Sequence, residues 1–110
     1  MMLIHDGTRI PTDTVRWDPD QTEWVTFAWD DLAARRQGIA TSEWVLPDGW
    51  TSEDTRTDVT AEALDGTEYA NCNQALLTGP DSGRHQITNR VQFGDGTSLD
   101  RSVTLIVADT

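Results

Sequence analysis

The clearest pattern in the chain is an alternation of apolar and polar residues near the C-terminus. Residues 85–93 and 98–107 both alternate with a period of two, which places their apolar side chains on one face of a strand. Gly94-Asp95-Gly96-Thr97 separates the two runs, and Asp-Gly favours a hairpin turn because its residues tolerate positive φ. The sequence therefore predicts a long antiparallel hairpin whose apolar face is covered by the rest of the chain.

Shorter runs before the hairpin predict further strands. Residues 23–29 and 39–46 each alternate, and residues 71–78 form another short strand. Residues 58–64 fit either a strand, which we prefer, or a short helix, since Ala, Glu and Leu favour helices. The side chains expected to share a face in the first two runs are Val25, Phe27 and Trp29, then Ala40, Ser42, Trp44 and Leu46.

One segment has the signals of a helix. Asp30 is a candidate N-cap, residues 31–37 give about two turns, and Gly38 suits the C′ position. Pro47-Asp48-Gly49 and Asp18-Pro19-Asp20 predict turns.

The strand spacing and turn residues predict an all-β fold, an immunoglobulin-like β-sandwich of about seven strands with a short helical turn near residues 30–37. We assign residues 17–110 to the sandwich and residues 1–16 to an N-terminal arm, with a short edge strand at Val15-Arg16-Trp17. Asn89 shares a face with apolar neighbours, so we expect it to hydrogen-bond to backbone at a bulge or sheet end. The predicted core comprises Phe27, Trp29, Trp44, Ile87, Val91, Val103 and Leu105.

Composition limits the class of protein. A chain of 110 residues supports one domain, and its net charge of −11 makes nucleic acid and anionic membranes poor partners. Cys72 is the only cysteine, which excludes an intrachain disulfide. The first residues lack the pattern of a signal peptide, and no apolar run is long enough to span a bilayer.

No motif in the sequence indicates catalysis. The histidines, His5 and His85, do not stand in any arrangement typical of a nucleophile and its base, and no phosphate-binding loop is present. Carboxylates at residues 18–23 and 95–100 could bind calcium, but neither segment fits the usual loop, and turns require the same residues. We therefore expect a protein that is not an enzyme and uses no cofactor, with calcium binding left open.

Several motifs follow one another along the chain: Trp17-Asp18-Pro19-Asp20, Phe27-Ala28-Trp29, Trp44-Val45-Leu46-Pro47-Asp48-Gly49, Thr88-Asn89-Arg90 and the segment from Gly94 to Leu105. Their order resembles small immunoglobulin-like virion proteins of tailed bacteriophages, a family of fiber-tail adaptors and phage structural proteins. The resemblance covers about residues 17–50 and 70–107. Residues 51–69 and the arm are longer than is usual in the family.

The resemblance implies a non-enzymatic structural protein of the virion, made in the host cytoplasm, that connects a fiber or tailspike to the tail or head-tail region. Its expected partners are fiber, tailspike or adaptor-ring proteins, and we expect a homo-oligomer in the particle. The candidate interface is Val15, Arg16, Trp17 and Trp50, with the alternative that Trp17 and Trp50 pack as lids over the sandwich. The alternative function is a carbohydrate- or receptor-binding module, which the aromatic residues suggest.

Overall fold

The computed structural model describes residues 2–5, 13–19, 21–63 and 66–108. These segments form two four-stranded sheets, and none of their helices is long and apolar enough to cross a bilayer. The elements are β1 (Met2–His5), β2 (Asp13–Trp17), β3 (Thr22–Ala28), α1 (Asp30–Arg35), β4 (Ile39–Val45), β5 (Thr51–Glu62), β6 (Glu68–Thr78), β7 (Gly83–Phe93) and β8 (Ser98–Val107). The first sheet has the order β1-β3-β6-β5 and the second β2-β8-β7-β4, so the all-β prediction is confirmed.

The predicted C-terminal hairpin is confirmed as β7 and β8. The strands pair antiparallel, with Ile87 opposite Val103 and the Phe93 N–H donating to the Thr97 carbonyl at 2.8 Å across the turn. Gly96 in the turn has a φ of +91°, a conformation that glycine adopts without steric cost. The alternation of the two runs places their apolar side chains on the buried face of the second sheet.

A single main core lies between the two sheets. Six of the seven predicted core residues are buried there, and only Trp44 is partly exposed because it lies on the edge strand β4, where it packs against Phe27 at 5.6 Å between ring centroids. Burial of this apolar surface is the main favourable term in folding. The largest fully buried side chains include Trp17, Trp29, Phe27, Phe93, Leu77, Ile87 and Leu105.

Two buried amides join the sheets across this core. The Asn89 Oδ1 accepts hydrogen bonds from Asn73 Nδ2 at 2.9 Å and from Trp29 Nε1 at 3.0 Å. The Asn89 Nδ2 donates to Ser42 Oγ at 2.9 Å and to the Glu43 carbonyl at 3.2 Å. The predicted bond from Asn89 to backbone is thus one of four, and together they satisfy an amide that is 0% exposed.

The N-terminal region differs from the predicted arm over residues 1–16. β1 pairs parallel with β3, and β2 pairs parallel with β8, so each strand extends one of the sheets at its edge. β2 includes the short edge strand predicted at Val15-Arg16-Trp17, whereas residues 6–12 lie outside the described residues. The sequence did not reveal β1 or the parallel pairing of either strand, because a parallel partner lies far away along the chain.

The helix is shorter than predicted, and its caps are shifted. α1 begins after Trp29, which occupies the N-cap position without a capping side-chain bond, so Asp30 is the first helical residue and not the cap. At the other end Gln37 takes a positive φ of 65°, and the Gly38 N–H donates to the Ala33 carbonyl at 2.8 Å. This is a Schellman ending in which Gln37 occupies the C′ position and Gly38 the C″ position, whereas Gly38 was predicted at C′.

β5 is the longest strand, and it differs most from prediction. It begins at Thr51, well before the predicted start at residue 58, and confirms the preference for strand over helix, although residues 64 and 65 lie outside the description. Its pairing with β6 shifts register three times. At one shift Asp58 and Asn71 both adopt positive φ, and the Asn71 Nδ2 donates to the Asp58 Oδ1 at 2.8 Å. A similar shift after Ile39 leaves Ala40 exposed instead of facing inward.

Candidate protein-interaction surface

The two tryptophans of the predicted interface lie at one end of the core. Trp17 is 1% exposed and Trp50 is 6% exposed, and their rings meet edge to face with centroids 5.3 Å apart. His85 also packs edge to face against Trp50, with ring centroids 5.7 Å apart. Among the described residues neither indole N–H has a hydrogen-bond partner, so both rings act as apolar packing. This arrangement corresponds to the alternative in which both tryptophans pack as lids, and it leaves little of either side chain exposed.

The other two predicted interface residues belong to β2. Val15 pairs with Leu105 and Arg16 with Ile106 in the parallel ladder, and the Arg16 side chain is exposed. The side chain of Val15 lies outside what the structure describes. Of the four residues, only Arg16 is therefore seen to present its side chain at the surface.

The carboxylates that could have bound calcium are engaged with neighbours in the C-terminal hairpin. Thr97 donates to the Asp95 carboxylate from both its hydroxyl, at 2.6 Å, and its N–H, at 3.0 Å, and these bonds lower the pKa of Asp95. Asp100 accepts from Arg90 Nε at 3.1 Å. Within the described ranges no three His, Cys, Asp or Glu side chains are grouped closely enough to hold a metal ion.

A cleft of about 440 Å³ lies between α1 and the turn of the C-terminal hairpin. Arg36 crosses it, donating to Thr97 Oγ1 at 2.9 Å and lying 5.5 Å from the ring centroid of Phe93. The Gly94 N–H donates to the Gly38 carbonyl at 2.9 Å, and a Cβ at Gly94 would meet the backbone of residue 37 at 2.2 Å. These contacts hold the helix against the hairpin. We therefore interpret the residues around the cleft as structural.

The outer face of the first sheet carries buried apolar side chains at positions where a solvent-facing sheet usually has polar ones. Val25 and Phe27 of β3 face the core, so Trp24, Thr26 and Ala28 point away from it. Thr26 and Ala28 are nonetheless buried, at 0% and 1% exposure. A second apolar cluster covers this outer face around Ala28, Cys72 and Ala61, with Leu3, Val59 and Tyr69 packed beside it.

One end of this outer face has the composition of a protein-protein contact. Trp24 and Leu76 lie directly opposite each other on β3 and β6, and both are half-buried without joining either apolar cluster. The Arg56 guanidinium of β5 lies over the Trp24 ring, 4.3 Å from its centroid. Glu53 and Asp54 of β5 are exposed beside them. We call these five residues the Trp24 surface.

The chemistry of the Trp24 surface suits binding more than catalysis. Tryptophan and arginine are the residues most enriched among those that dominate binding energy at interfaces. The stacked pair is also ordered before any partner arrives, which reduces the entropy lost on binding. The Thr78 hydroxyl donates to Glu53 Oε2 at 3.0 Å, which holds one carboxylate of the surface in place.

A sequence signal for the Trp24 surface lies in the outward positions of β3, which the predicted interface did not include. Once Val25, Phe27 and Trp29 are assigned to the core face, the opposite face of the same strand carries Trp24 and no charged residue until residue 30. An uncharged outer face with a tryptophan is unusual for a strand of a two-sheet protein, whose outer positions are usually polar. Arg56 could not have been found, because it depends on the register of β5.

Comparison with known proteins gives a likeness of fold only. No protein-family model matches the sequence, and no curated protein matches it. Among solved structures, the cysteine protease inhibitor EhICP2 from Entamoeba histolytica aligns with a TM-score of 0.59 and 8% identity, covering 97% of this chain and 94% of that chain. Amebosin aligns with a TM-score of 0.48 and 14% identity, covering 96% of this chain and 94% of that chain. At 8% identity the first likeness shows that the two chains share a fold and nothing about a shared target.

Proposed function

We propose that this chain is a non-enzymatic structural protein of a tailed-phage virion, an immunoglobulin-like adaptor that joins a fiber or tailspike to the tail or head-tail region. The sequence motifs that resemble phage virion proteins support the virion role. The observation that carries the binding role is the Trp24 surface, where a half-buried tryptophan, an arginine stacked on it and a leucine lie together on an outer sheet face.

The fold suits a connector physically. Two sheets joined by the Asn73–Asn89 bridge form a rigid body with no disulfide to reduce, since the chain has one cysteine and it is buried. In a particle, many copies present the same surface, so modest individual contacts combine through effective concentration. We accordingly propose that the chain acts as a homo-oligomer bound to fiber, tailspike or adaptor-ring subunits.

The carbohydrate-binding alternative is less well supported. Sugars stack on aromatic rings that are open to solvent, whereas the tryptophan rings considered for this function are buried or covered by another side chain. Trp17 and Trp50 are buried, and the Trp24 ring is covered by Arg56 at 4.3 Å. Val45, at 40% exposure, is the one large apolar side chain that is well exposed among the described residues, and it is not aromatic.

Mass spectrometry of purified virions tests the proposal. We expect peptides of this chain in particles of the phage that encodes it, at a copy number that is a multiple of the tail symmetry. The chain contains no lysine, so neighbours should be cross-linked through carboxylates with a dihydrazide and not through side-chain amines. Absence from mature particles, with other tail proteins detected in the same sample, would reject the virion role.

A further inference from the structure

The Trp24 surface also indicates what kind of partner it takes. Its apolar centre is the pair of Trp24 and Leu76, and Arg56 is the one cation on it. That cation lies on the tryptophan ring, and within the described part of the chain it forms no ion pair with the exposed carboxylates of Glu53 and Asp54. The surface therefore presents an apolar centre with negative charge on one side.

The charges along β5 extend this pattern. Because β5 is the outermost strand of the first sheet, a partner that reaches the Trp24 surface from that side has to pass it. Residues 51–58 are all exposed, and β5 carries Glu53, Asp54, Asp58 and Glu62 against one arginine. Anionic side chains along an approach path raise the encounter rate of cationic partners and repel anionic ones.

A second copy of this chain fits the surface poorly. Each copy carries a net charge of −11, and its β5 would bring the same carboxylates to the contact. Pairing through the free edge of β5 is also hindered, because its three register shifts interrupt the regular row of backbone groups that an added strand needs. The occupant is thus a different molecule that docks on the face.

We propose that the Trp24 surface binds a basic segment of another protein, in which apolar side chains contact Trp24 and Leu76 and lysine or arginine side chains meet Glu53 and Asp54. This inference rests on the proposed binding role and adds the chemistry of the partner. The proposal requires that the fiber, tailspike or adaptor-ring subunit that binds this face carries a basic segment. It also requires that identical copies of the chain contact each other through a different surface.

The test uses the full chain and two synthetic peptides of equal length, one alternating Lys with Leu and one alternating Glu with Leu. We expect the Lys-Leu peptide to bind and to shift the indole ¹⁵N–H resonance of Trp24, with the resonances of Trp17 and Trp50 unmoved. The Glu-Leu peptide should not bind. Binding should weaken as salt is raised, because the contact is partly electrostatic and exposed.

Matched variants separate this surface from the general acidity of the chain. The double variant Glu53→Gln with Asp54→Asn should weaken binding of the Lys-Leu peptide by about tenfold. The double variant Glu43→Gln with Asp100→Asn removes the same charge from the second sheet and should change it by less than about twofold. Leu76→Gln, which leaves the Trp24–Arg56 stack in place, should also weaken binding by about tenfold or more.

Three outcomes would overturn the inference. Equal weakening by the two double variants would mean that the peptide follows net charge and not this surface. Equal binding of the Glu-Leu peptide would remove the requirement for a basic partner. A dimer in sedimentation that Leu76→Gln dissociates would identify a second copy as the occupant. Failure in virion mass spectrometry with success here would reject the virion role and keep the basic-segment site.

Discussion

The outer faces of the two sheets carry opposite chemistry on the same architecture. On the second sheet the outward side chains of β7 and β8 pair with one another, as Thr88 and Ser102 do through their hydroxyls at 2.8 Å and Arg90 and Asp100 do at 3.1 Å. The outer face of the first sheet instead buries Cys72 completely and places Trp24 under a guanidinium. Polar side chains that already pair with each other gain little free energy when a partner covers them. A half-buried aromatic ring gains more, because a partner removes its remaining apolar surface from water.

The difference shows that alternation of apolar and polar residues predicts which face of a strand is buried, but does not predict the function of the outward side chains. Both sheets use their inward positions in the same way, for a core of apolar side chains and one amide pair. Their outward positions were free to diverge, because side chains there contribute little to holding the sheets together. Function should therefore be sought in the outward positions of β3, β5 and β6.

The largest expected effect comes from the buried amide that joins the two sheets in the core. Asn89→Ala removes four hydrogen bonds and leaves the donors of Trp29 and Asn73 buried without their acceptor. We expect a loss of about 3–5 kcal/mol in the free energy of unfolding, measured by urea denaturation. Ser42→Ala, which deletes one of the four partners and leaves the Glu43 carbonyl, should lose about 1 kcal/mol. Equal losses from the two variants would contradict the role of the amide as a bridge.

A charge placed on each outer face should separate the two faces sharply. Cys72 is 0% exposed, and its Sγ faces the carbonyls of Tyr69 and Ala70 at 3.3 and 3.7 Å. Cys72→Asp puts a carboxylate against two acceptors, and we expect a loss of about 3 kcal/mol in urea unfolding. Cys72→Ser, whose hydroxyl can donate to the same carbonyls, should lose less. Gln86→Asp, on the exposed outer face of the second sheet, should stay within about 0.5 kcal/mol.

Truncating the apolar side chain on each face gives a smaller contrast. Trp24→Ala removes half-buried ring surface and the stacking partner of Arg56. We expect a loss of about 1–2 kcal/mol in the free energy of unfolding from area and cation-π contact together. Val45→Ala on the second sheet should lose about 0.5 kcal/mol or less, since Val45 is 40% exposed. Comparable losses would mean that the two faces do not differ energetically.

The smallest effect concerns the charged turn at the end of the second sheet. The Thr97 hydroxyl and N–H lower the pKa of Asp95, so the carboxylate stabilises the folded state above the pKa of the unfolded chain. That stabilisation is lost as pH falls through the lower folded-state pKa. Thr97→Val removes the hydroxyl and should raise the pKa of Asp95 in an NMR titration, though not fully to its ordinary value, because the N–H remains. Thr104→Val, at a site remote from the turn, should leave that pKa unchanged.

The parts of the fold that sequence predicted are those in which the evidence is local. The hairpin of β7 and β8 combines strict alternation with an Asp-Gly turn, and its register follows from these features. The strand containing Val25 and Phe27 was predicted on the same ground. In contrast, Thr51 to Asp58 form a strand in which every side chain is exposed, so no alternation marks it. Its pairing depends on β6 and on the positive φ of Asp58 and Asn71.

The candidate surface was harder to predict than the fold. Trp17 and Trp50 were predicted as contact residues because tryptophan is enriched at interfaces, yet their rings pack against each other at the end of the core. The Trp24 surface brings together residues from three strands, and only the registers of β3, β6 and β5 place Leu76 and Arg56 beside Trp24. A pattern along one segment cannot provide that information.

The parallel ladder between β2 and β8 also affects how the protein is made. It pairs Asp13 with Val103 and Trp17 with Val107, so β2 is synthesised well before the strand with which it pairs, and β3 to β7 come between them. Until then β8 can form its hairpin with β7, but its other edge stays open, and Trp17 has no core to enter. Contacts between distant segments slow folding and leave strand edges exposed to other nascent chains. Synthesis should therefore be the stage at which this protein most needs a chaperone.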